Sequence, residues 1–87
     1  MVSAFDSSEK RRKFFYRIID EGFKVRMHSY EYFIRGSKFV CVVVLYPQWN
    51  SATIHRIPWN MEESEKAVER ILEILREFEP AIEVEVI

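Results

Sequence analysis

The side chains best suited to proton transfer or metal binding in this chain are two histidines and one cysteine, His28, His55 and Cys41. They do not form a cluster with the spacing that holds zinc, and no nucleophile lies beside a base in the sequence. Ser7 and Lys10 match a hydrolase pattern, but they fall in the cap of a predicted helix, so the match is a coincidence. We therefore predict no catalytic residues, no metal and no cofactor.

Tyrosines and basic residues suggest a second kind of chemistry. Tyr30 and Tyr32 alternate on one predicted strand, so their rings share a face. Bases of single-stranded RNA stack on such rings while cations hold the phosphates. Single-stranded nucleic-acid binding is therefore an alternative function, with candidate residues Lys24, Arg26, His28, Tyr30, Tyr32 and Arg56. A metal-independent ribonuclease that uses His28 is a less favoured alternative.

Composition bounds the class of protein. The longest apolar run has eight residues, too few to span a bilayer. Residues 9–13 are all charged, unlike the apolar core of a signal peptide. A lone cysteine inside an apolar run suits a reducing compartment. We predict a cytoplasmic protein in which residues 1–87 form one domain. The few Asn and Gln among many charged residues hint at a thermophilic source.

The segment that organises the chain is residues 38–46. Phe39 to Tyr46 are consecutively apolar, and four of them are valine. A half-exposed strand would alternate, whereas this run is typical of a strand that is buried on both faces. We predict that it lies at the centre of a sheet.

The other elements follow from periodicity, caps and turns. Residues 7–21 predict a helix capped by Asp6 and ended by Gly22, with residues 1–5 frayed. Residues 23–35 predict one long strand, which Gly36-Ser37 joins to the central strand by a two-residue turn. Residues 51–57 predict a third strand, 61–78 a second helix, and 81–87 a last, half-exposed strand.

These elements predict an α+β fold in the order α-β-β-β-α-β. The sheet is expected to be mixed and four-stranded, an antiparallel meander plus a C-terminal strand, with both helices on one face. A crossover through the second helix would make the last strand parallel to its neighbour. We expect that neighbour to be the first strand.

The predicted register leaves one face of the sheet without helices, because two helices cannot cover both faces. This face is expected to carry the side chains of Tyr30, Tyr32, Cys41, Val43, Leu45 and Ile54. An apolar patch of that size usually marks a binding surface, and a second copy of the chain is the commonest partner. We therefore predict a non-enzymatic interaction or adaptor protein, a homodimer or a binder of another protein, with these six residues at the interface.

Charge is unevenly distributed along the chain. Residues 1–60 carry a net charge of +5 and residues 61–87 carry −6. Four glutamates recur at four-residue steps on the second helix: Glu65, Glu69, Glu73 and Glu77. We interpret them as a solubilising ridge, with a dock for a basic partner as the alternative.

The α-β-β-β-α order resembles double-stranded-RNA-binding domains and the small toxin ribonucleases of toxin–antitoxin pairs. The first resemblance implies a basic start to the second helix, where this chain has Met61-Glu62-Glu63. The second implies Gly-Ser-His, where this chain has Met27-His28-Ser29. With the last strand added, the order is similar to type III secretion chaperones, which implies an acidic dimer. These motifs assign the chain to no family.

Overall fold

The computed structural model describes residues 3–87 as two helices and a five-stranded mixed sheet. The helices are α1, Ser8–Asp20, and α2, Met61–Phe78. The strands are β1, Lys24–His28; β2, Glu31–Arg35; β3, Phe39–Tyr46; β4, Ser51–Arg56; and β5, Glu83–Val86. The predicted α+β class is confirmed, and so are the helix over residues 61–78 and the strand at the centre of the sheet.

The predicted long strand over residues 23–35 is wrong, because it folds into a hairpin. β1 and β2 pair antiparallel, with Val25 opposite Ile34 and His28 opposite Glu31. Ser29 occupies the left-handed region at a φ of 57°, which lets the chain reverse within two residues. The segment lacks the Gly or Pro that usually marks such a turn, so composition conceals it.

The loop between β2 and β3 holds three residues instead of the predicted two. Arg35 pairs with Phe39, and the amide of Gly36 donates to the Lys38 carbonyl oxygen at 2.9 Å. The next pair is Ile34 with Cys41, so Val40 is an extra residue in β3 and forms a bulge. The bulge lets two successive side chains of β3, Val40 and Cys41, both be buried.

The last strand is parallel to its neighbour, as predicted, but the neighbour is β4, not the first strand. Ser51 lies opposite Glu83, and Ile54 lies opposite Val86. The strand order is therefore β1-β2-β3-β4-β5. The amphipathic helix α2 returns the chain beside the strand it has just left, which is the short connection that sheets favour.

The first helix has close to the predicted limits. Its cap is Ser7, whose hydroxyl accepts from the Lys10 amide at 3.3 Å, so the cap lies one residue later than predicted. Gly22 ends it with a φ of 104°. The predicted frayed end is wrong for residues 3–5, because Phe5 is 1% exposed and packs edge-on against Phe14. Residues 1 and 2 lie outside the described residues.

Both helices pack on one face of the sheet, as predicted, but for β2, β3 and β4 it is the opposite face from the one expected. The side chains they cover include Tyr32, Cys41, Val43, Leu45 and Ile54, all at most 2% exposed. Because the hairpin places Val25 beside Ile34, the alternation of the supposed long strand is broken at Ser29. The helices lie on this face because it is apolar on all four antiparallel strands, whereas the other face is polar on β1 and β4.

Candidate interaction surface

The candidate functional site is the face of the sheet that no helix covers, which we call the helix-free face. Along each strand, side chains alternate between the face that the helices cover and the helix-free face, and the strand registers align the two sets across the sheet. The helix-free face has three parts: an apolar centre on β2 and β3, a cationic edge on β1 and the end of β2, and an anionic edge on β5.

The apolar centre consists of Phe33, Phe39, Val42 and Val44. The rings of Phe33 and Phe39 meet edge-to-face, with centroids 6.2 Å apart. Phe39 is 38% exposed, while Phe33, Val42 and Val44 are half-buried by their neighbours within the sheet. β3 is the middle strand of five, so this apolar centre lies in the middle of the face.

The cationic edge consists of Lys24 and Arg26 on β1 with Arg35 at the end of β2, and His28 of β1 lies beside them. With Phe33 and Phe39 they line a groove of about 500 Å³. Within residues 3–87, Lys24, Arg26 and Arg35 enter no ion pair. Their charges are therefore available to an anionic partner.

The anionic edge consists of Glu83 and Glu85. They lie opposite Ser51 and Thr53 on the helix-free face, while Val84 between them points to the core. With Tyr46 they line a second depression of about 450 Å³. In the described part of the chain neither glutamate enters an ion pair.

The interface residues predicted from the sequence lie elsewhere. Tyr32, Cys41, Val43, Leu45 and Ile54 are core residues beneath the helices. The Tyr32 hydroxyl donates to the Arg11 carbonyl oxygen at 3.2 Å, and its burial raises its pKa. Burial also raises the pKa of the Cys41 thiol to about 12. These five side chains are therefore buried within their own chain and are not available to a second molecule.

Tyr30, the sixth predicted interface residue, occupies the turn between β1 and β2. The Arg11 guanidinium carbon lies 4.6 Å from the centre of its ring, so Tyr30 stacks with α1 on the helix side of the sheet. The two tyrosines therefore provide no stacking platform on the helix-free face.

The predicted nucleic-acid set is divided between the two sides of the sheet. Lys24, Arg26 and His28 come together on the helix-free face. Arg56 pairs across from Cys41 on the helix side, where its Nη1 lies 3.5 Å from the Glu65 carboxylate. The rings beside these three grouped residues are those of Phe33 and Phe39, not those of the tyrosines.

Both histidines lie on the helix-free face of the sheet. His55 lies opposite Val42, and His28 lies opposite Glu31. Three strand spacings separate them, roughly 14 Å, so they cannot share a proton or a metal ion. His28 Nδ1 is 3.8 Å from the Glu31 carboxylate.

The acidic ridge on α2 is largely paired with arginines of the same chain. The Arg17 guanidinium donates two hydrogen bonds to the Glu77 carboxylate, each 3.1 Å long. Arg70 bonds to Glu73, and Glu65 pairs with Arg56. These pairs support the interpretation that the ridge is a structural and solubilising feature.

Sequence reasoning missed Phe33, Arg35, Val42, Val44, Glu83 and Glu85 as members of one surface. The signal that could have found them is the contrast between the faces. Residues 32, 34, 41, 43, 45, 52 and 54 are all apolar, whereas residues 24, 26, 28, 31, 35, 53 and 55 are all polar. Helices cover the more apolar of two faces, so that contrast identifies the free one.

The described residues contain no group of three or more His, Cys, Asp or Glu arranged to hold a metal ion. Neither helix in that same range is long and apolar enough to cross a membrane. Comparison of the chain with protein-family models, with curated proteins and with solved structures finds no match.

Proposed function

We propose that this chain is an interaction protein that associates with a second copy of itself through the helix-free face. The observation that carries the proposal is the layout of that face: an apolar centre between a cationic and an anionic edge. An interface needs an apolar centre that excludes water and a polar rim that sets the partner's position. A surface with both signs of charge can complement itself.

The apolar centre supports face-to-face packing. Two sheets pack about 10 Å apart when side chains of their inner faces interdigitate. Phe33, Phe39, Val42 and Val44 would supply those side chains from each copy, and their burial would stabilise the pair by the hydrophobic effect. Both helical layers would then lie on the outside of the dimer.

The oligomeric state tests the proposal. Light scattering after gel filtration is expected to give twice the chain mass of 10.5 kDa at micromolar protein. Val42→Glu should give a folded monomer, because a dimer would bury an unpaired carboxylate in its centre. Ser8→Glu adds the same charge at an exposed site on α1 and should leave the dimer intact.

A wild-type monomer at that concentration would contradict the proposal, and so would a Val42→Glu variant that remains dimeric. Circular dichroism of the variant distinguishes a monomer that has kept its fold from a chain that has lost the dimer because it is unfolded. Val42 lies on the helix-free face, so the carboxylate is solvated in a monomer and the fold should persist.

A second candidate function, single-stranded nucleic-acid binding, has one observation in its favour. Lys24, Arg26 and Arg35 surround the rings of Phe33 and Phe39 with no acidic partner among the described residues. Bases could stack on the rings while phosphates meet the cations. The acidic residues Glu83 and Glu85 on the same face count against a long strand of nucleic acid, which is why self-association is preferred.

Fluorescence anisotropy with a labelled random oligonucleotide decides this alternative. Binding that weakens steeply with salt and is abolished by Arg26→Glu, but not by Lys10→Glu on α1, would support it. Because the same groove would be covered in the dimer, an oligonucleotide that binds should also dissociate the dimer. No anisotropy change at low salt removes the alternative.

A further inference from the structure

The strand order has a consequence for how two copies can meet face to face. Because β3 is central, β1 and β5 are equally distant from it on opposite sides. The sheet is therefore cationic along one edge and anionic along the other, about 19 Å apart at ordinary strand spacing. Two-fold symmetry then offers two arrangements with very different electrostatics.

If the two-fold axis ran across the strands, each strand would lie over its own copy. Arg26 would face Arg26 of the partner, and Glu85 would face Glu85. If the axis runs parallel to the strands, above β3, the edges exchange and β1 of one copy lies over β5 of the other. Like charges opposed at an interface cost several kcal/mol, whereas opposite charges fix its register.

We infer that the two copies meet with β1 of each over β5 of the other, so that Arg26 of one chain lies within reach of Glu85 of its partner. The strand registers put Arg26 level with Val42 and Glu85 level with Val44, two residues apart along the strands, which is about 7 Å. This inference rests on the proposed function and names the orientation in which that face is used. The two-fold axis makes the contact twice per dimer. It also places Val42 and Val44 over their own copies at the axis, which keeps the apolar centre together.

The charges concerned are free to make these contacts. Arg26 and Glu85 are exposed, and across residues 3–87 neither is engaged in an ion pair. Other charges of the chain are already satisfied, such as Arg17 with Glu77. In a monomer the charges on these two edges would have no side chain of opposite charge paired with them among the described residues.

Charge reversal at the two edges tests the orientation. In Arg26→Glu each dimer would contain two pairs of opposed carboxylates, and in Glu85→Lys two pairs of opposed cations. Each single variant should raise the dimer dissociation constant at least about tenfold. An equimolar mixture of the two variants should form a heterodimer of near wild-type affinity, because both edge contacts are then between opposite charges.

Native mass spectrometry with one variant isotope-labelled measures the heterodimer directly. The double variant Arg26→Glu with Glu85→Lys should also recover the homodimer. Lys10→Glu and Glu69→Lys make matched charge changes at exposed positions of α1 and α2 and should change neither homodimer. Added salt should weaken the wild type and reduce the differences among the variants.

The outcomes separate the orientation from the proposed function. A mixture no tighter than its components overturns the orientation. An Arg26→Glu chain that pairs more tightly with the wild type than either chain pairs with itself also overturns it, because position 26 then faces position 26, which indicates β1 over β1. If both reversals leave the dimer unchanged while Val42→Glu still breaks it, the face is used but the orientation is wrong. A wild-type protein that is monomeric would contradict both the orientation and the proposed self-association.

Discussion

The Ser64 hydroxyl joins α2 to the bulge of β3 by donating a hydrogen bond to the Val40 carbonyl oxygen. The Ser64 Oγ also accepts a hydrogen bond from the Ile57 amide at 3.1 Å, just after the end of β4. Ser64 is fully buried. One side chain therefore satisfies a donor and an acceptor that two irregular stretches of backbone leave free inside the core.

Ser64→Ala should destabilise the fold by about 1–3 kcal/mol, because it leaves the Ile57 amide and the Val40 carbonyl buried without a partner. Urea unfolding followed by circular dichroism measures the difference. Ser8→Ala removes a hydroxyl from an exposed position and should cost much less. Equal stability of the two variants would mean that water replaces Ser64 at the bulge.

Acid should weaken the junction between the helices at Glu21. Its carboxylate accepts hydrogen bonds from Arg70 and from Arg17, and these bonds lower its pKa to about 2 from an ordinary 4.5. A carboxyl group whose pKa is lowered by folding stabilises the native state above its unfolded pKa. That contribution is lost as the pH falls from about 4.5 towards 2.

Denaturant midpoints measured between pH 6 and pH 2 test this expectation. Glu21→Gln should be less stable than the wild type at pH 6, and the gap should close as the pH approaches 2. Asp20→Asn changes the neighbouring exposed carboxylate, which has no ion pair in the described chain, and serves as the control. A gap that stays constant with pH would show that Glu21 does not titrate with folding.

Gly22→Ala should cost about 1 kcal/mol of unfolding free energy. Gly22 ends α1 at a φ of 104°, and a Cβ there would meet no atom within 4 Å. The cost is therefore backbone strain rather than a clash. Gly36→Ala provides the matched control, because Gly36 has equal space and no positive φ. Thermal melts of both variants should show the loss only at position 22.

The Cys41 thiol should resist modification until the protein unfolds. It is fully buried in the core, and burial raises its pKa to about 12, so little thiolate is present at neutral pH. A thiol reagent at pH 8 should react at a rate that rises with denaturant. In a Ser37→Cys variant the exposed added thiol should react at once. Rapid labelling of Cys41 in the native protein would contradict its place beneath the helices.

Local sequence patterns predicted those elements whose signals lie within a few residues of each other. The apolar stripe of residues 61–78 identified α2, and the unbroken run from Phe39 to Tyr46 identified the central strand. Gly22 marked the end of α1, where a residue without a Cβ is needed. The positive net charge of residues 1–60 and the negative net charge of residues 61–87 meet in the fold, as in the pairs of Arg17 with Glu77 and of Arg56 with Glu65.

Local patterns did not predict the hairpin at Ser29, the bulge at Val40 or the partner of β5. A turn formed by Ser29 and Tyr30 has no Gly or Pro to mark it. The carbonyl oxygen at the bulge accepts a hydrogen bond from Ser64, which lies 24 residues from Val40. Pairing between distant strands depends on which faces the helices bury, and no short window of sequence contains that information.

The sequence by itself determined that Tyr32, Ile34, Cys41, Val43, Leu45 and Ile54 share one face of a sheet, because side chains alternate with a period of two. Only the tertiary structure decided that this face is the core. The choice depends on where two helices gain the most buried apolar area, summed over five strands. The same summation leaves Phe33, Val42 and Val44 on the surface between Arg26 and Glu85, which is where we propose that a second copy binds.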